Sequence, residues 1–234
     1  TLPWLPDRPW FPPTHEALTQ PNGLLAAGGE LTVDWLTFAY SRGIFPWFDE
    51  PPMLWWCPEP RTVIAPGSLS VSRSLRKRLS RNDYTIRVNT CFADVIDACS
   101  QPRSAMGDDP GTWITPSMKS AYLELHRQGL AHSVECHRDG KLVGGLYGVS
   151  IGRMFFGESM FYRQTDTSKI ALAHLCRLLE AERYPLIDCQ VDNPHLARLG
   201  ALPMKRDQFC RLCEQLCAQT GLEWSSLPST LPAW

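Results

Sequence analysis

Apolar and polar positions along the chain follow two different patterns, one before and one after residue 66. From residue 67 onward, apolar residues recur at helical or strand spacing between turn-forming residues. This spacing predicts helices at about 70–81, 91–100, 116–128, 168–182 and 206–219. It predicts strands at 85–89, 132–138, 141–151, 154–161 and 185–191. Residues 1–66 are instead rich in proline and tryptophan, which excludes long helices and central strands and leaves one short helix at about 32–42.

Local signals define several boundaries and the fold class. Asp139-Gly140 is a two-residue hairpin turn between two predicted strands, and Ser168 is expected to cap the helix that follows the third strand of the meander. Antiparallel strands followed by a strand–helix–strand crossover indicate an α/β or α+β domain. We expect a small N-terminal domain over residues 1–64 and a larger domain over residues 65–234.

Composition and charge limit the classes of protein to which the chain can belong. At 234 residues and 44% hydrophobic, it can fill a sizeable core. Its net charge of −1 excludes a global basic field, so any contact with nucleic acid must come from a local patch. The sequence shows neither an apolar run of membrane-spanning length nor a secretory signal. We therefore expect a cytoplasmic protein that binds neither membranes nor DNA.

The nine cysteines lack the spacing of a disulfide scaffold, which favours reduced and buried thiols. Cys210, Cys213 and Cys217 fall on one face of a predicted helix. Zinc would require a fourth ligand and usually paired Cys-x-x-Cys motifs, so core packing is the favoured explanation for this group. We expect neither a metal nor a cofactor.

Three polar residues interrupt two apolar strands. Glu158 lies in MFFGESMF, and Asp188 and Gln190 lie in LIDCQ. A buried carboxylate is costly unless it is paired or used, so these residues indicate a binding cleft in which a carboxylate acts as a base or holds a cationic group. The structural alternative is a buried ion pair with a nearby cation such as Lys169.

Apolar and aromatic residues near these strands are candidates for binding a ligand. Those expected to line an apolar pocket are Leu146, Phe155, Met160 and Ile187. Trp47 and Trp113 lie among turn-forming residues, which makes them candidates for stacking on a base. Packing in the core is the alternative for both groups.

A cluster of cations marks the helix predicted at about 70–81. Its members are Arg73, Arg76, Lys77, Arg78 and Arg81. All but Arg78 are spaced three or four residues apart and share one helix face, with almost no acid to offset them. Such a face suits a phosphate backbone, and a solvated helix surface is the alternative.

The ordered motifs of the chain resemble those of the leucyl/phenylalanyl-tRNA–protein transferase family. The strings that carry the resemblance are PNGLLAAGGELT (21–32), RGIFPWF (42–48), LWWCPEPR (54–61), GTWIT (111–115), HSVE (132–135), LVGGLYGV (142–149), FFGESMF (155–161), Ser168-Lys169 and LIDCQV (186–191). They extend over nearly the whole chain from residue 21 onward.

The resemblance implies an enzyme that transfers leucine or phenylalanine, and methionine less well, from aminoacyl-tRNA. The acceptor is the N-terminal α-amine of a protein that begins with Arg or Lys, and the product carries a degradation signal. The larger domain is expected to resemble the GNAT acyltransferases, which gives an α+β fold with a mixed, largely antiparallel sheet flanked by helices. The pyrophosphate loop of an acyl-CoA enzyme, Q/R-x-x-G-x-G/A, does not occur in the sequence.

The family motifs also imply roles for individual residues. Asp188, Gln190 and Glu158 match catalytic positions. The aminoacyl pocket is implied at Leu146, Phe155, Met160, Leu175 and Ile187. Trp47 and Trp113 match aromatics beside the terminal adenosine, and the basic helix is implied to contact the tRNA through Arg73, Arg76, Lys77, Arg78 and Arg81.

For the chemistry, we hypothesise that Asp188 acts through Gln190 to orient and polarise the incoming amine, while Glu158 holds the amine or the basic first side chain. A proton relay through the ribose hydroxyl of the tRNA is the alternative. Two rival functions stay open on the sequence. One is a non-catalytic binder of basic protein N-termini, and the other is an acyl-CoA-dependent N-acyltransferase.

Overall fold

The computed structural model describes residues 2–48, 50–101 and 114–234. Its N-terminal part contains one α-helix and a small sheet. The helix is α1 (Val33–Tyr40), and the strands are β1 (Leu24–Ala27), β2 (Phe45–Pro46) and β3 (Leu54–Trp56). The strands are antiparallel in the order β1-β3-β2. The hydroxyl of Thr32 accepts a hydrogen bond from a backbone N–H in the first turn of α1, so the predicted short helix is confirmed.

A larger sheet forms the centre of the molecule. Its strands are β4 (Arg61–Ile64), β5 (Thr85–Val88), β6 (Ala131–Arg138), β7 (Lys141–Ile151), β8 (Met154–Tyr162), β9 (Leu186–Gln190) and β10 (Leu202–Met204). Their spatial order is β10-β4-β9-β8-β7-β6-β5. Strands β8 and β9 pair in parallel and the other neighbours pair antiparallel. The predicted mixed, largely antiparallel sheet is confirmed.

Helices flank this sheet. They are α2 (Arg73–Leu79), α3 (Phe92–Cys99), α4 (Pro116–Arg127), α5 (Thr167–Ala181), α6 (Pro194–Arg198) and α7 (Arg206–Cys217). Helix α5 is the crossover between the parallel strands, so the predicted strand–helix–strand unit and the α+β class are confirmed. Within the described residues, no helix has both the length and the apolar character needed to cross a membrane.

One predicted cap is wrong, and one predicted helix is shorter than expected. Ser168 lies buried inside α5, and the residue before the helix is Asp166, which has a left-handed φ of 69°. Helix α2 ends at Leu79, so Arg81 follows the helix instead of belonging to it. The sequence patterns also missed α6 and β10, which are short elements without a long apolar period.

Two apolar clusters cover opposite faces of the large sheet. One packs around α2 and α5, and the other includes α1, α3, α4 and α7. The second cluster joins Trp55 from the N-terminal part with Phe156 from β8. Cys210 and Cys213 are buried in the same cluster and Cys217 packs beside it, which confirms core packing for this group. The division of the chain after residue 64 stays a prediction, and β4 belongs to the larger sheet.

Candidate active site

A buried ion pair lies between the neighbouring strands β4 and β9. Arg61 donates from Nε to Asp188 Oδ1 at 2.8 Å and from Nη2 to Oδ2 at 2.6 Å. Both side chains are 0% exposed. Burial lowers the pKa of the Arg61 guanidinium, but its attraction to Asp188 prevails and the pKa rises above the ordinary value. Asp188 is therefore a paired carboxylate, and its partner is not Lys169, which binds Asp166 instead.

The rest of the Arg61 side chain is enclosed as well. Its Nη1 donates to the backbone oxygen of Gly43 at 2.8 Å. The guanidinium carbon lies 4.7 Å from the ring centroid of Phe45 and 4.5 Å from that of Phe209. These contacts compensate for part of the cost of burying a cation, and they link the N-terminal part, the sheet and α7 through one side chain.

Asp188 in turn fixes the backbone of Gln190. Its Oδ1 accepts a hydrogen bond from the Gln190 backbone N–H at 2.9 Å. Gln190 has a φ of 62°, a left-handed conformation that a residue with a full side chain rarely adopts. The hydrogen bond supports this conformation, so the carboxylate acts on the backbone that carries the Gln190 amide.

Register shifts place the polar residues at one point of the sheet. Parallel pairing of β8 with β9 ends at Phe156 and Asp188, although both strands continue. The register between β7 and β8 shifts by one residue at Glu158. The register between β4 and β9 shifts in the same way at Cys189. Such bulges redirect side chains. As a result, Gln190 Nε2 donates to Glu158 Oε1 at 3.2 Å where the two strands diverge.

Two buried tyrosines hold the Glu158 carboxylate. Tyr40 on α1 donates to Oε1 at 2.6 Å, and Tyr122 on α4 donates to Oε2 at 3.0 Å. The two hydroxyl groups also contact each other. Each hydroxyl carries a single proton, which it donates to the Glu158 carboxylate in this arrangement.

Burial raises the pKa of Glu158 to about 7, against an ordinary value of 4.5, although hydrogen bonds from Tyr40, Tyr122 and Gln190 act in the opposite direction. The carboxylate is densely surrounded by protein, yet the residue keeps part of its surface exposed. A group with these properties changes charge near neutral pH and remains accessible to a substrate.

The residues predicted for the aminoacyl pocket lie together. Leu146, Phe155, Leu175 and Ile187 are buried in the apolar cluster on the α5 side of the sheet, and Met160 is partly buried against it. Leu146 pairs with Met160 across β7 and β8, and Phe155 pairs with Ile187 across β8 and β9. The structure thus brings these side chains together, while their binding of an aminoacyl group stays a prediction.

Of the two predicted stacking residues, Trp47 is 42% exposed. Its ring centroid lies 5.4 Å from that of Trp56, whose Nε1 donates to the Trp47 backbone oxygen at 2.6 Å. Trp113 lies outside the described residues. An exposed indole supported by a second indole is a surface on which a base can stack.

The predicted basic helix divides into two sets of cations. Arg73, Arg76 and Lys77 are exposed on α2, and Arg81 is exposed just beyond it. Arg78 is half-buried, forms an ion pair with Asp83 at 3.5 Å and hydrogen-bonds the hydroxyl of Tyr84. Leu75 and Leu79 anchor the opposite side of the helix in the core. Four of the five predicted cations therefore face solvent.

Comparison with known proteins identifies the family of this chain. The family model described as leucyl/phenylalanyl-tRNA protein transferase matches residues 63–214, and the model of its N-terminal domain matches residues 29–59. A leucyl/phenylalanyl-tRNA–protein transferase from Azoarcus sp. (strain BH72) is 56% identical over 210 residues, which cover 89% of this chain and 88% of that protein. The chain belongs to the leucyl/phenylalanyl-tRNA–protein transferase family. It is an enzyme, an aminoacyltransferase, as the motifs predicted.

Other comparisons vary in strength. The leucyl/phenylalanyl-tRNA–protein transferase from Nitrosospira multiformis is 51% identical over 226 residues, which cover 95% of this chain and 96% of that protein. A solved structure of a GCN5-related N-acetyltransferase from Kribbella flavida is 16% identical, with a TM-score of 0.37, over 70% of this chain and 57% of that chain. The similarity to this solved structure is too low to define the fold. The fold is defined by the sheet and helices described above.

The sequence patterns missed three residues of the site. They are Arg61, Tyr40 and Tyr122. Arg61 carries a detectable signal, because it is a charge at the start of the apolar run RTVIA and such a charge requires a partner. The tyrosines occupy core positions of amphipathic helices. Tyrosine is common at such positions, so the sequence gives no sign that their hydroxyl groups contact Glu158.

We expect Glu158→Gln to change the pH dependence of stability. The unfolded chain loses the Glu158 proton near pH 4.5 and the folded chain near pH 7, so the wild type loses stability as pH rises through this window. Glutamine mimics the neutral acid and removes that loss. The free energy of unfolding of the variant, relative to the wild type, should therefore increase between about pH 5 and about pH 8, as measured by urea denaturation.

The matched control is Glu182→Gln, which removes an exposed carboxylate at the end of α5. Its free energy of unfolding relative to the wild type should stay constant over the same pH range. A constant difference for Glu158→Gln as well would contradict a raised pKa at Glu158.

Proposed function

We propose that this enzyme transfers leucine or phenylalanine, and methionine less well, from aminoacyl-tRNA to the α-amine of proteins that begin with Arg or Lys. The product then carries an N-terminal degradation signal. The reaction takes place in the cytoplasm, and the transfer step uses no cofactor. The observation that carries the proposal is the contact between Gln190 and Glu158 where β8 and β9 diverge, on the two strands that also contribute Phe155 and Ile187 to the apolar cluster on the α5 side.

The apolar cluster on the α5 side supplies a site for the aminoacyl side chain. Its walls are aliphatic and aromatic, and Met160 adds a flexible, partly exposed surface. An apolar pocket gains about 1–3 kcal/mol per methylene group, so it rejects small side chains more strongly than it separates Leu, Met and Phe. This supports a preference for large apolar residues with overlap among the three.

Glu158 supplies the site for the basic N-terminus. Near neutral pH its pKa of about 7 leaves a substantial fraction ionised, and a cationic substrate group shifts that fraction upward. Asp188 is unsuited to this role because Arg61 binds both of its oxygens and the pair is buried. The charge that meets an Arg or Lys is therefore that of Glu158.

In the transfer step, the neutral amine nitrogen attacks the ester carbonyl carbon of the aminoacyl-tRNA. A C–N bond forms, the C–O bond to the ribose breaks, and the amine proton ends on the released ribose oxygen. Gln190 orients the amine and Asp188 holds Gln190 in place, so proximity and orientation supply the acceleration. Both carboxylate oxygens of Asp188 already accept hydrogen bonds from Arg61, and one of them accepts a further bond from the Gln190 N–H. This favours a proton relay through the ribose hydroxyl over proton transfer to Asp188.

The tRNA is bound through its backbone and its 3′ end. The exposed cations Arg73, Arg76, Lys77 and Arg81 form a basic strip that meets phosphates, and Arg78 supports the strip through Asp83 and Tyr84. Trp47 stacks on the terminal adenosine, as is proposed also for Trp113. Contacts of this kind read the backbone and one base, so the enzyme accepts tRNAs of different sequence.

The direct test is transfer from labelled Leu-tRNA to a peptide that begins with Arg, in the absence of CoA. We expect the labelled leucine to appear at the peptide N-terminus. With Glu158→Gln, the preference for an Arg-initiated peptide over an Ala-initiated one should fall by at least about tenfold, which corresponds to about 1.4 kcal/mol. Transfer to the Ala-initiated peptide should change less.

Two controls define the outcome. An N-acetylated peptide lacks the nucleophile and should accept no leucine, and Glu182→Gln should behave like the wild type. Binding of the Arg-initiated peptide without transfer would indicate a non-catalytic binder, and transfer that requires acyl-CoA would indicate an N-acyltransferase. Either result would contradict the proposal.

The basic strip leads to a second expected outcome. Removing two of its cations, by Arg73→Ala with Arg76→Ala, should weaken binding of different tRNAs by the same factor. The slope of log affinity against log salt should become shallower by about 1.4–1.8, since each of the two lost phosphate contacts contributes about 0.7 on a single strand and about 0.9 on a duplex. Filter binding over a range of salt concentrations measures both quantities.

The matched control is Lys141→Ala with Lys205→Ala, which removes two exposed cations that lie outside α2. This variant should keep the wild-type salt slope. An unchanged slope in Arg73→Ala with Arg76→Ala, or an equal change in the control, would show that the strip does not bind the tRNA.

A further inference from the structure

A second group of chemically active side chains lies where β6 meets the start of α3. Glu135 and His137 are two residues apart on β6, and Cys91 immediately precedes α3. The Cys91 Sγ lies 3.9 Å from His137 Nε2, and that nitrogen lies 3.6 Å from Glu135 Oε2. One sulfur, one nitrogen and one oxygen thus lie within 4.8 Å of one another.

These distances are close to those around a tetrahedral zinc ion. Zinc binds sulfur at about 2.3 Å, imidazole nitrogen at about 2.0–2.1 Å and carboxylate oxygen at about 2.0–2.2 Å. Tetrahedral angles then place sulfur and nitrogen about 3.6 Å apart, and nitrogen and oxygen about 3.4 Å apart. Movements of a few tenths of an ångström bring Cys91, His137 and Glu135 to these positions.

The ring nitrogens of His137 make few hydrogen bonds within the described residues. The residue is 7% exposed, and among the described residues its Nδ1 has no hydrogen-bond partner. Its Nε2 faces Glu135 at a distance too long for a hydrogen bond and Cys91 at the length of a weak one. Buried polar atoms are normally paired, so an imidazole with this environment and a free lone pair is suited to a metal.

The Glu135 carboxylate is held in place by its other oxygen. Its Oε1 accepts hydrogen bonds from the backbone N–H groups of Thr90 and Cys91, both at 2.9 Å, and from the hydroxyl of Ser133 at 2.7 Å. Its Oε2 accepts one bond, from the hydroxyl of Thr90, and keeps a lone pair toward His137. These hydrogen bonds orient Oε2 of Glu135, as hydrogen bonds to metal-binding side chains commonly do in metal sites.

Of the three residues, Cys91 is the one that is partly exposed to solvent. A surface cavity of about 530 Å³ opens beside Cys91 and is lined also by Asn89, Thr90, Phe92 and His126. Its opening leaves room for a water molecule as the fourth ligand. One thiolate and one carboxylate neutralise a divalent cation, so the occupied site carries no net charge when His137 is neutral.

We propose that Cys91, Glu135 and His137 bind one zinc ion, with water as the fourth ligand. Binding breaks the Sγ–H bond of Cys91, forms the zinc–sulfur bond and releases the proton to solvent. The ion joins the start of α3 to β6 and stabilises the fold at that junction. The ligand set is sulfur, nitrogen and oxygen in a tetrahedral arrangement, which favours zinc over the oxygen-binding ions calcium and magnesium.

The test is a calorimetric titration of the chelator-treated protein with Zn²⁺. We expect one ion per chain, and a melting temperature that rises with free Zn²⁺ because the ion binds the folded state. Cys91→Ser and His137→Gln should each lower the affinity by at least about tenfold. Cys217→Ser and His15→Gln remove a thiol and an imidazole elsewhere and should leave the affinity unchanged.

Cobalt supplies a readout that does not depend on stability. With Co²⁺ in place of Zn²⁺, the wild type and Cys217→Ser should show a thiolate-to-cobalt charge-transfer band, and Cys91→Ser should lack it. Cys91→His retains a ligand at this position, so it should bind Zn²⁺ without that band. The proposal is overturned if the wild type binds no Zn²⁺, or if Cys91→Ser and His137→Gln bind it as tightly as the wild type.

Discussion

The buried ion pair between Arg61 and Asp188 is the interaction on which the rest of the site depends. Two fully buried charges cost several kcal/mol each to desolvate, and removal of one partner from such a pair costs about 3–5 kcal/mol. The remaining Arg61 contacts come from two separate parts of the chain, the N-terminal part with Gly43 and Phe45 and helix α7 with Phe209. One side chain therefore fixes the N-terminal part and α7 against the middle of the large sheet.

The consequences extend from this pair along β9 into the site. Asp188 uses its remaining hydrogen-bonding capacity to hold Gln190 in a left-handed conformation, and Gln190 reaches Glu158 across diverging strands. Tyr40 and Tyr122 then bring α1 and α4 to the same carboxylate. The network has two carboxylates with different environments. Asp188 is charged, paired and closed to solvent, whereas Glu158 is partly exposed and has a pKa near neutrality.

Local chemistry made much of the fold predictable. Asp139 and Gly140 adopt φ values of 51° and 75°, as the hairpin turn requires, and the hydroxyl of Thr115 caps α4. Glu158, Asp188 and Gln190 were recognisable because a polar residue in an apolar strand has few explanations. These features depend on a few neighbouring residues, which a single sequence displays.

The partners of these residues could not be predicted in the same way. Arg61 is separated from Asp188 by 127 positions and Tyr40 from Glu158 by 118, and no local period connects them. The same holds for Cys91 and His137, which are 46 positions apart. Ser168 was a misleading local signal, because α5 begins after Asp166 and the serine packs inside the helix. Pairings over such distances are determined by the folded sheet.

The central claim is that Asp188 promotes transfer through Gln190 and not independently. A double-mutant cycle on the single-turnover rate of leucine transfer, with Asp188→Ala and Gln190→Asn, tests it most directly at a temperature where both variants are folded. Asparagine tolerates the left-handed conformation but is too short to place its amide against Glu158. The account predicts that the double variant is no slower than the slower single variant, as for groups that act as a unit. Rate losses that multiply in the double variant would show that Asp188 acts on the substrate by a separate route.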